Sequence, residues 1–156
     1  MGDDKKEEQV MAAVKPAGVA SQAWFGLLFW MSMGLLFEGL IGYRSPAYLQ
    51  DALRRELFRL AHAHGALLSI LLLVMNLYLL KQLISPPKIA VRALQAGVVL
   101  MPFGFLLGGV WHYESDPNFL IFLSPLGGLL IIFGIAAIAL SNLKKRPPRR
   151  SGHGEQ

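Results

Sequence analysis

Arg59-Leu60-Ala61-His62-Ala63-His64-Gly65 marks the point where a charged segment turns into a strongly apolar one. Before it, Asp51, Arg54, Arg55, Glu56 and Arg59 crowd a short segment, whereas Ala66 to Leu80 holds nothing more polar than Ser69, Asn76 and Tyr78. Crossing about 30 Å of hydrocarbon at 1.5 Å per residue takes roughly 20 apolar residues, so Leu60 to Leu80 reads as a membrane-spanning helix. Two of the four histidines therefore sit where a membrane helix begins.

Working outward, three further runs have the same character, about 20–42, 93–111 and 119–140. The chain of 156 residues is 54% hydrophobic and only 16% charged, against about a quarter charged in a soluble domain. The reading is an all-α integral membrane four-helix bundle. Ser45-Pro46 supplies an N-cap and a first-position proline. From there Leu49, Leu53, Leu57 and Leu60 oppose Gln50, Asp51, Arg54 and Arg55, which predicts an interfacial amphipathic helix over 46–59 between the first two spans. Residues 1–19 read as a solvated tail without the apolar core of a signal peptide, and 143–156 as a basic, Pro-broken tail.

Several positions on these spans share faces. Gly26, Trp30, Gly34, Glu38 and Gly42 recur at i, i+4, which predicts a bundle-facing stripe. On the second span His62, Gly65, Ser69 and Asn76 lie within about 60° of one another, whereas His64 is rotated by about 160° from His62. On the third, Gly97, Gly104, Gly108 and His112 share a face, and Pro102 predicts a kink.

Eleven Lys and Arg fall in the N-terminal tail, the 81–92 connection and the C-terminal tail, against four (Arg44, Arg54, Arg55, Arg59) on the other side. The positive-inside rule then predicts both termini in the cytoplasm, as for a bacterial inner-membrane protein. The net charge of +5 is explained by these loops and calls for no nucleic-acid partner. The expected partners are the lipid bilayer and other membrane subunits or a second copy of the chain. Absent cysteines exclude disulfides, thiolate metal sites and thiol nucleophiles. There is no strand pattern, phosphate-cradling loop or nucleophile elbow, and no catalytic residue is assigned.

With this topology Glu38, His62, His64, His112 and Glu114 all approach the outer face, with Arg44 and Arg59 beside them. Ionisable groups at membrane depth are costly and are usually paired or functional. Facing imidazoles of His62 and His112 predict the axial ligands of a haem b, with Arg44 or Arg59 near the propionates. The same residues with Glu38 or Glu114 could hold a divalent metal such as zinc or copper. A quinol or proton-relay site built on Glu38 and a histidine is a further reading. In the plainer alternative the cluster only locks helices: His62 bonds Glu38, His112 joins Trp111 and Tyr113 in an aromatic belt, and Ser69 and Asn76 bond between helices. The protein would then be a non-catalytic accessory or assembly subunit, the alternative to the preferred expectation of a small redox-associated membrane protein with a haem or metal site near the outer face.

The run R-x-x-H-x-H-G carried by Arg59, His62, His64 and Gly65 resembles ligand helices of haem-copper-oxidase-like membrane proteins. The likeness covers seven residues, in a chain with far fewer helices than such a catalytic subunit. It implies a haem-associated role and assigns no ligand by position.

Overall fold

The computed structural model describes residues 16–113 and 116–144. Among these, five α-helices and one 3₁₀ turn follow in order: α1 Pro16–Gly42, α2 Pro46–Leu49, α3 Ala52–Leu80, α4 Lys88–Val110, the turn Phe119–Phe122, and α5 Leu123–Lys144. Helices α1, α3, α4 and the 119–143 segment are each long and apolar enough to cross a membrane. The chain is an all-α membrane protein, and no strand occurs among the described residues.

The segment 46–59 is helical on both sides of a break. Asp51 is extended (φ −97°, ψ 96°) and its side chain accepts from the Arg54 N–H at 2.9 Å. An aspartate in that position satisfies one of the orphan amides of a new helix, so it restarts the helix at Ala52. The expected amphipathic helix is therefore one short turn, α2, plus the first two turns of α3, which run on into the span without interruption. The other spans also begin earlier than expected, at Pro16 and Lys88, and α5 extends to Lys144. Pro102 is accommodated within an unbroken α4.

Two helix ends close in the same way. Ser45 N–H reaches Leu40 O and Arg44 N–H reaches Ile41 O, both at 3.0 Å, after α1. Leu83 N–H to Tyr78 O and Gln82 N–H to Leu79 O repeat the pattern after α3. These are Schellman turns, which need a left-handed residue; Arg44 (φ 55°) and Gln82 (φ 54°) take the place usually held by glycine.

Neighbours in sequence are neighbours in space: α1 packs on α3, α3 on α4 and α4 on α5. The pairs Gly26–Ser69, Gly34–His62, Gly104–Ser124 and Gly134–Ala90 run in opposite directions along their helices, so these partners are antiparallel. The result is a row with α3 and α4 in the middle. In α4, 44% of the apolar window is buried, against 11% in α1, which marks α1 as an edge. The core is Val19, Ala23, Leu68, Leu72, Met75, Val91, Leu94, Val98 and Ile131.

The inward face of α1 runs through Val19, Ala23, Gly26, Trp30, Gly34 and Phe37. The expected stripe of strict i, i+4 steps follows it only from Gly26 to Gly34. Each four-residue step overshoots a full turn by about 40°, so a strict i+4 series leaves its face within a few turns. Phe37 takes the packed position, Glu38 stands at the rim, and Gly42 faces open space.

Candidate functional site

Two polar assemblies lie at the end of the bundle formed by residues 43–51 and 111–118, and they are separate. The first is the junction of α2, α3 and α4. Asp51 Oδ2 takes a hydrogen bond from His112 Nε2 at 2.8 Å, while its Oδ1 caps α3. Arg54 closes the arrangement: Nε donates to Gly109 O at 3.2 Å, Nη1 to Ala47 O at 2.9 Å, and Nη2 lies 3.5 Å from Asp51 Oδ2. The His112 side chain is only 5% exposed. Burial works to raise the Asp51 pKa, but the Arg54 amide, the His112 ring and the nearby charges prevail and hold its carboxyl below the ordinary value. Asn118 ties the adjoining loop down, donating to Leu107 O at 2.6 Å and Trp111 O at 2.7 Å and thereby occupying carbonyls left over at the end of α4.

The second assembly is a groove of about 510 Å³ between the end of α1, α2 and the upper part of α3. Gly34 and His62 line its inner part, Phe37, Ile41, Tyr48 and Leu49 supply apolar wall, and Glu38, Arg55 and Arg59 carry the charge. His62 Nδ1 lies 2.7 Å from Trp30 O. A carbonyl can only accept, so Nδ1 carries the proton and a neutral His62 keeps its lone pair on Nε2. The ring fits because position 34 has no side chain; a Cβ there would collide with the imidazole. Arg59 is paired with Glu56 at 3.4 Å, and Arg55 Nη1 donates to Leu49 O. Tyr48 is 3% exposed and stacked with Phe37. Burial pushes its phenol upward, opposed by the charges of Arg55 and Arg59.

The groove brings together Glu38, Arg59 and His62 of the sequence-derived candidates. It does not include Arg44, which is exposed in its turn beyond α1, or His112. His112 is level with Asp51, and His62 lies eleven residues further along the same helix. At 1.5 Å per residue that is about 16 Å along the axis. The two imidazoles therefore do not face one another across a common centre. Because α3 starts at Ala52, His62 is nearly three turns into the helix rather than at its mouth. No group of three or more His, Asp or Glu placed to hold a metal occurs among the described residues, and Glu114 lies outside them.

His64 points away from the groove, as its position on the helix predicts. Its Nδ1 bonds Leu60 O at 2.8 Å and its ring packs, tilted by 38°, against Phe105 of α4, 5.2 Å between centroids. Glu38 is not the partner of His62; a backbone carbonyl is. The interhelical bonds expected of Ser69 and Asn76 are also replaced. Ser69 Oγ donates to Gly65 O at 2.7 Å within its own helix, and Asn76 Oδ1 is buried with no hydrogen-bond partner among the described residues.

The polar link near the opposite end is one that sequence reasoning missed. Gln22 Nε2 donates to Gln95 O, and Gln95 Nε2 to Gln22 Oε1, each at 2.8 Å. Each glutamine lies about two turns inside the start of its helix, a matched depth that was available as a signal. Asp51 was the other omission. Grouped above only with the polar face of 46–59, it caps α3 and pairs with Arg54 and His112. Compared with protein-family models, with curated proteins and with solved structures, the chain matches none.

Proposed function

We infer that this chain is a non-catalytic multi-pass membrane protein that serves as an accessory or assembly subunit of a larger membrane complex, with both termini in the cytoplasm. The observation that supports this most is the use made of the histidines. His62 and His64 each spend Nδ1 on a backbone carbonyl, and His112 is held by Asp51. A buried polar group without a partner is expensive in hydrocarbon; the His64 bond stays within α3, while the His62 and His112 bonds cross between elements and hold helices in register at about 1 kcal/mol each. The edge helix α1 leaves Trp24, Phe25, Leu28, Met31, Leu35 and Ile41 exposed, area available to lipid or to another subunit. The excess of Lys and Arg in the termini and the 81–92 connection supports the orientation.

A second reading, a haem b or divalent metal, is favoured by one feature. An imidazole that ligates a metal commonly donates its other N–H to a carbonyl or carboxylate, and His62 and His64 both do so while keeping Nε2.

Visible spectra of the protein in mild detergent, before and after dithionite and following haem-supplemented expression, separate the two. A colourless, metal-free preparation is expected. A reduced α-band that disappears in His62→Ala overturns the first reading. Native electrophoresis of solubilised source membranes is expected to place the chain in a band well above its own mass, and migration as a free monomer would count against a subunit role. A C-terminal reporter active on the outer side would refute the orientation.

A further inference from the structure

The groove at α1, α2 and α3 holds two hydrogen-bond acceptors, on Glu38 and His62, that the protein itself supplies with no donor among the described residues. Arg59 is paired with Glu56, and Arg55 Nη1 is turned to the Leu49 carbonyl. By contrast Glu38 has no hydrogen bond or ion pair among the described residues, and His62, once Nδ1–H is committed to Trp30 O, offers the Nε2 lone pair. A cavity with two available acceptors selects a ligand that brings two donors.

The walls narrow the class further. Phe37 and Tyr48 lie nearly parallel (14°), backed by Phe58 at 22° to Phe37. Stacked on one another and only 6% and 3% exposed, Phe37 and Tyr48 form a rigid apolar wall against which an apolar ring can rest. Ile41 is 53% exposed at the groove edge and Glu38 is exposed too, so the groove is open along the side of the bundle, where a lipid-dissolved molecule would arrive. Its volume of about 510 Å³ falls in the range of roughly 300–1,000 Å³ usual for small-molecule clefts. A phosphate headgroup fits less well. It brings acceptors to acceptors, and the two arginines that could attract it already have partners, Glu56 beside Arg59 and the Leu49 carbonyl beside Arg55.

We propose that this groove binds the reduced, dihydroxylated ring of a quinol-type amphiphile. His62 Nε2 and the Glu38 carboxylate each accept from a ring hydroxyl, the ring lies along Phe37 and Tyr48, and the apolar tail leaves past Ile41 into the bilayer. This is a binding site for the quinol, with no electron transfer assigned to the chain. It does not rest on the accessory-subunit reading, and loss of either leaves the other standing.

The test uses the full chain in phosphatidylcholine nanodiscs, titrated anaerobically with decylubiquinol and separately with decylubiquinone by isothermal titration calorimetry. The quinol should bind at least about tenfold more tightly than the quinone, which has only acceptors to offer; about tenfold is the loss expected for one unmade charged hydrogen bond. Glu38→Ala, an exposed position whose loss leaves the packing intact, should weaken quinol binding about tenfold and leave quinone binding unchanged. His62→Ala should do the same, with circular dichroism confirming its fold; if it fails to fold, Glu38→Ala decides. Equal affinity for the two redox forms, no measurable quinol binding, or quinol binding unaffected by Glu38→Ala overturns the proposal. So does displacement of decylubiquinol by phosphatidylglycerol with dependence on Arg55, which would make the groove a lipid-headgroup site.

Discussion

The α4–α5 and α1–α3 seams are both built on glycine, yet they use it in opposite ways. Along α4–α5 the glycines meet backbone. A Cβ on Gly97 would stand 2.6 Å from Gly127 O, one on Gly134 would stand 2.9 Å from Ala90 O, and one on Gly127 would overlap the Met101 backbone. Along α1–α3 the glycines are notches filled from across the seam. Ser69 Oγ faces Gly26, His62 fills the space at Gly34, and the Trp30 indole lies against Gly65. In a bilayer, where lipid tails are as apolar as leucine, helix association depends on close packing and interhelical hydrogen bonds. The α4–α5 seam uses close approach. The α1–α3 seam uses inserted side chains, and thereby places an imidazole and an indole where a hydrogen bond and a groove can form.

The difference can be broken most forcefully at Gly127. Gly127→Ala presses a methyl on the α4 backbone, which cannot rotate away, and should cost about 3 kcal/mol or more, seen as a lower midpoint in SDS titration followed by circular dichroism. A neutral result would mean that α4 and α5 are not in backbone contact. Gly65→Ala meets a side chain instead, so the Trp30 indole must shift. The cost should be smaller, about 1–3 kcal/mol, and accompanied by a change in Trp30 emission that the Gly127 variant does not produce. If Gly65→Ala proved the more damaging of the two, the contrast between the seams would be reversed.

Asp51 tests the junction between them, since it fixes the start of α3 to the end of α4. Its folded pKa is below the ordinary value of 3.8, so its ionised form contributes stability above that value. The contribution fades as pH falls below about 4 and is gone once the lowered folded value is passed. Asp51→Asn keeps the cap but removes the ionised partner of His112. It should therefore lower stability at pH 7 and flatten the acid limb below about pH 4. A variant with the same acid limb as the unsubstituted protein would show that Asp51 is not what links these helices.

The smallest effect is expected outside both seams. Gln82→Gly relieves a left-handed side-chain residue in a Schellman turn and should raise stability by up to about 1 kcal/mol without altering either interface. A destabilisation there would mean that the Gln82 side chain carries an interaction beyond its backbone role.

Much of this architecture was legible. Four apolar runs marked the spans, Pro46 opened a helix, and the face of Gly97, Gly104 and Gly108 was read as an interface. The 160° rotation correctly parted His64 from His62. Legibility failed where a short-range rule was extended too far. Four-residue steps drift from a 3.6-residue helix, so Glu38 and Gly42 left a face that Phe37 kept. The cap at Asp51 was overlooked, which hid how deep His62 lies and made His62 and His112 seem level. Glu38 and His62 were rightly placed together, but for the wrong bond.

By itself the sequence determined the solvent of this protein and the number of runs able to cross it, because hydrocarbon thickness and the cost of unbonded backbone depend on run length and composition alone. It also determined which residues lie on one side of a helix over a few turns. Which helix meets that side was decided only by the tertiary structure, as was whether a glycine receives backbone or an aromatic ring. That is why the histidines parted company. Each imidazole went to the nearest acceptor that the packing supplied, Trp30 O for His62 and Asp51 for His112, and no spacing within one helix can show what stands opposite it.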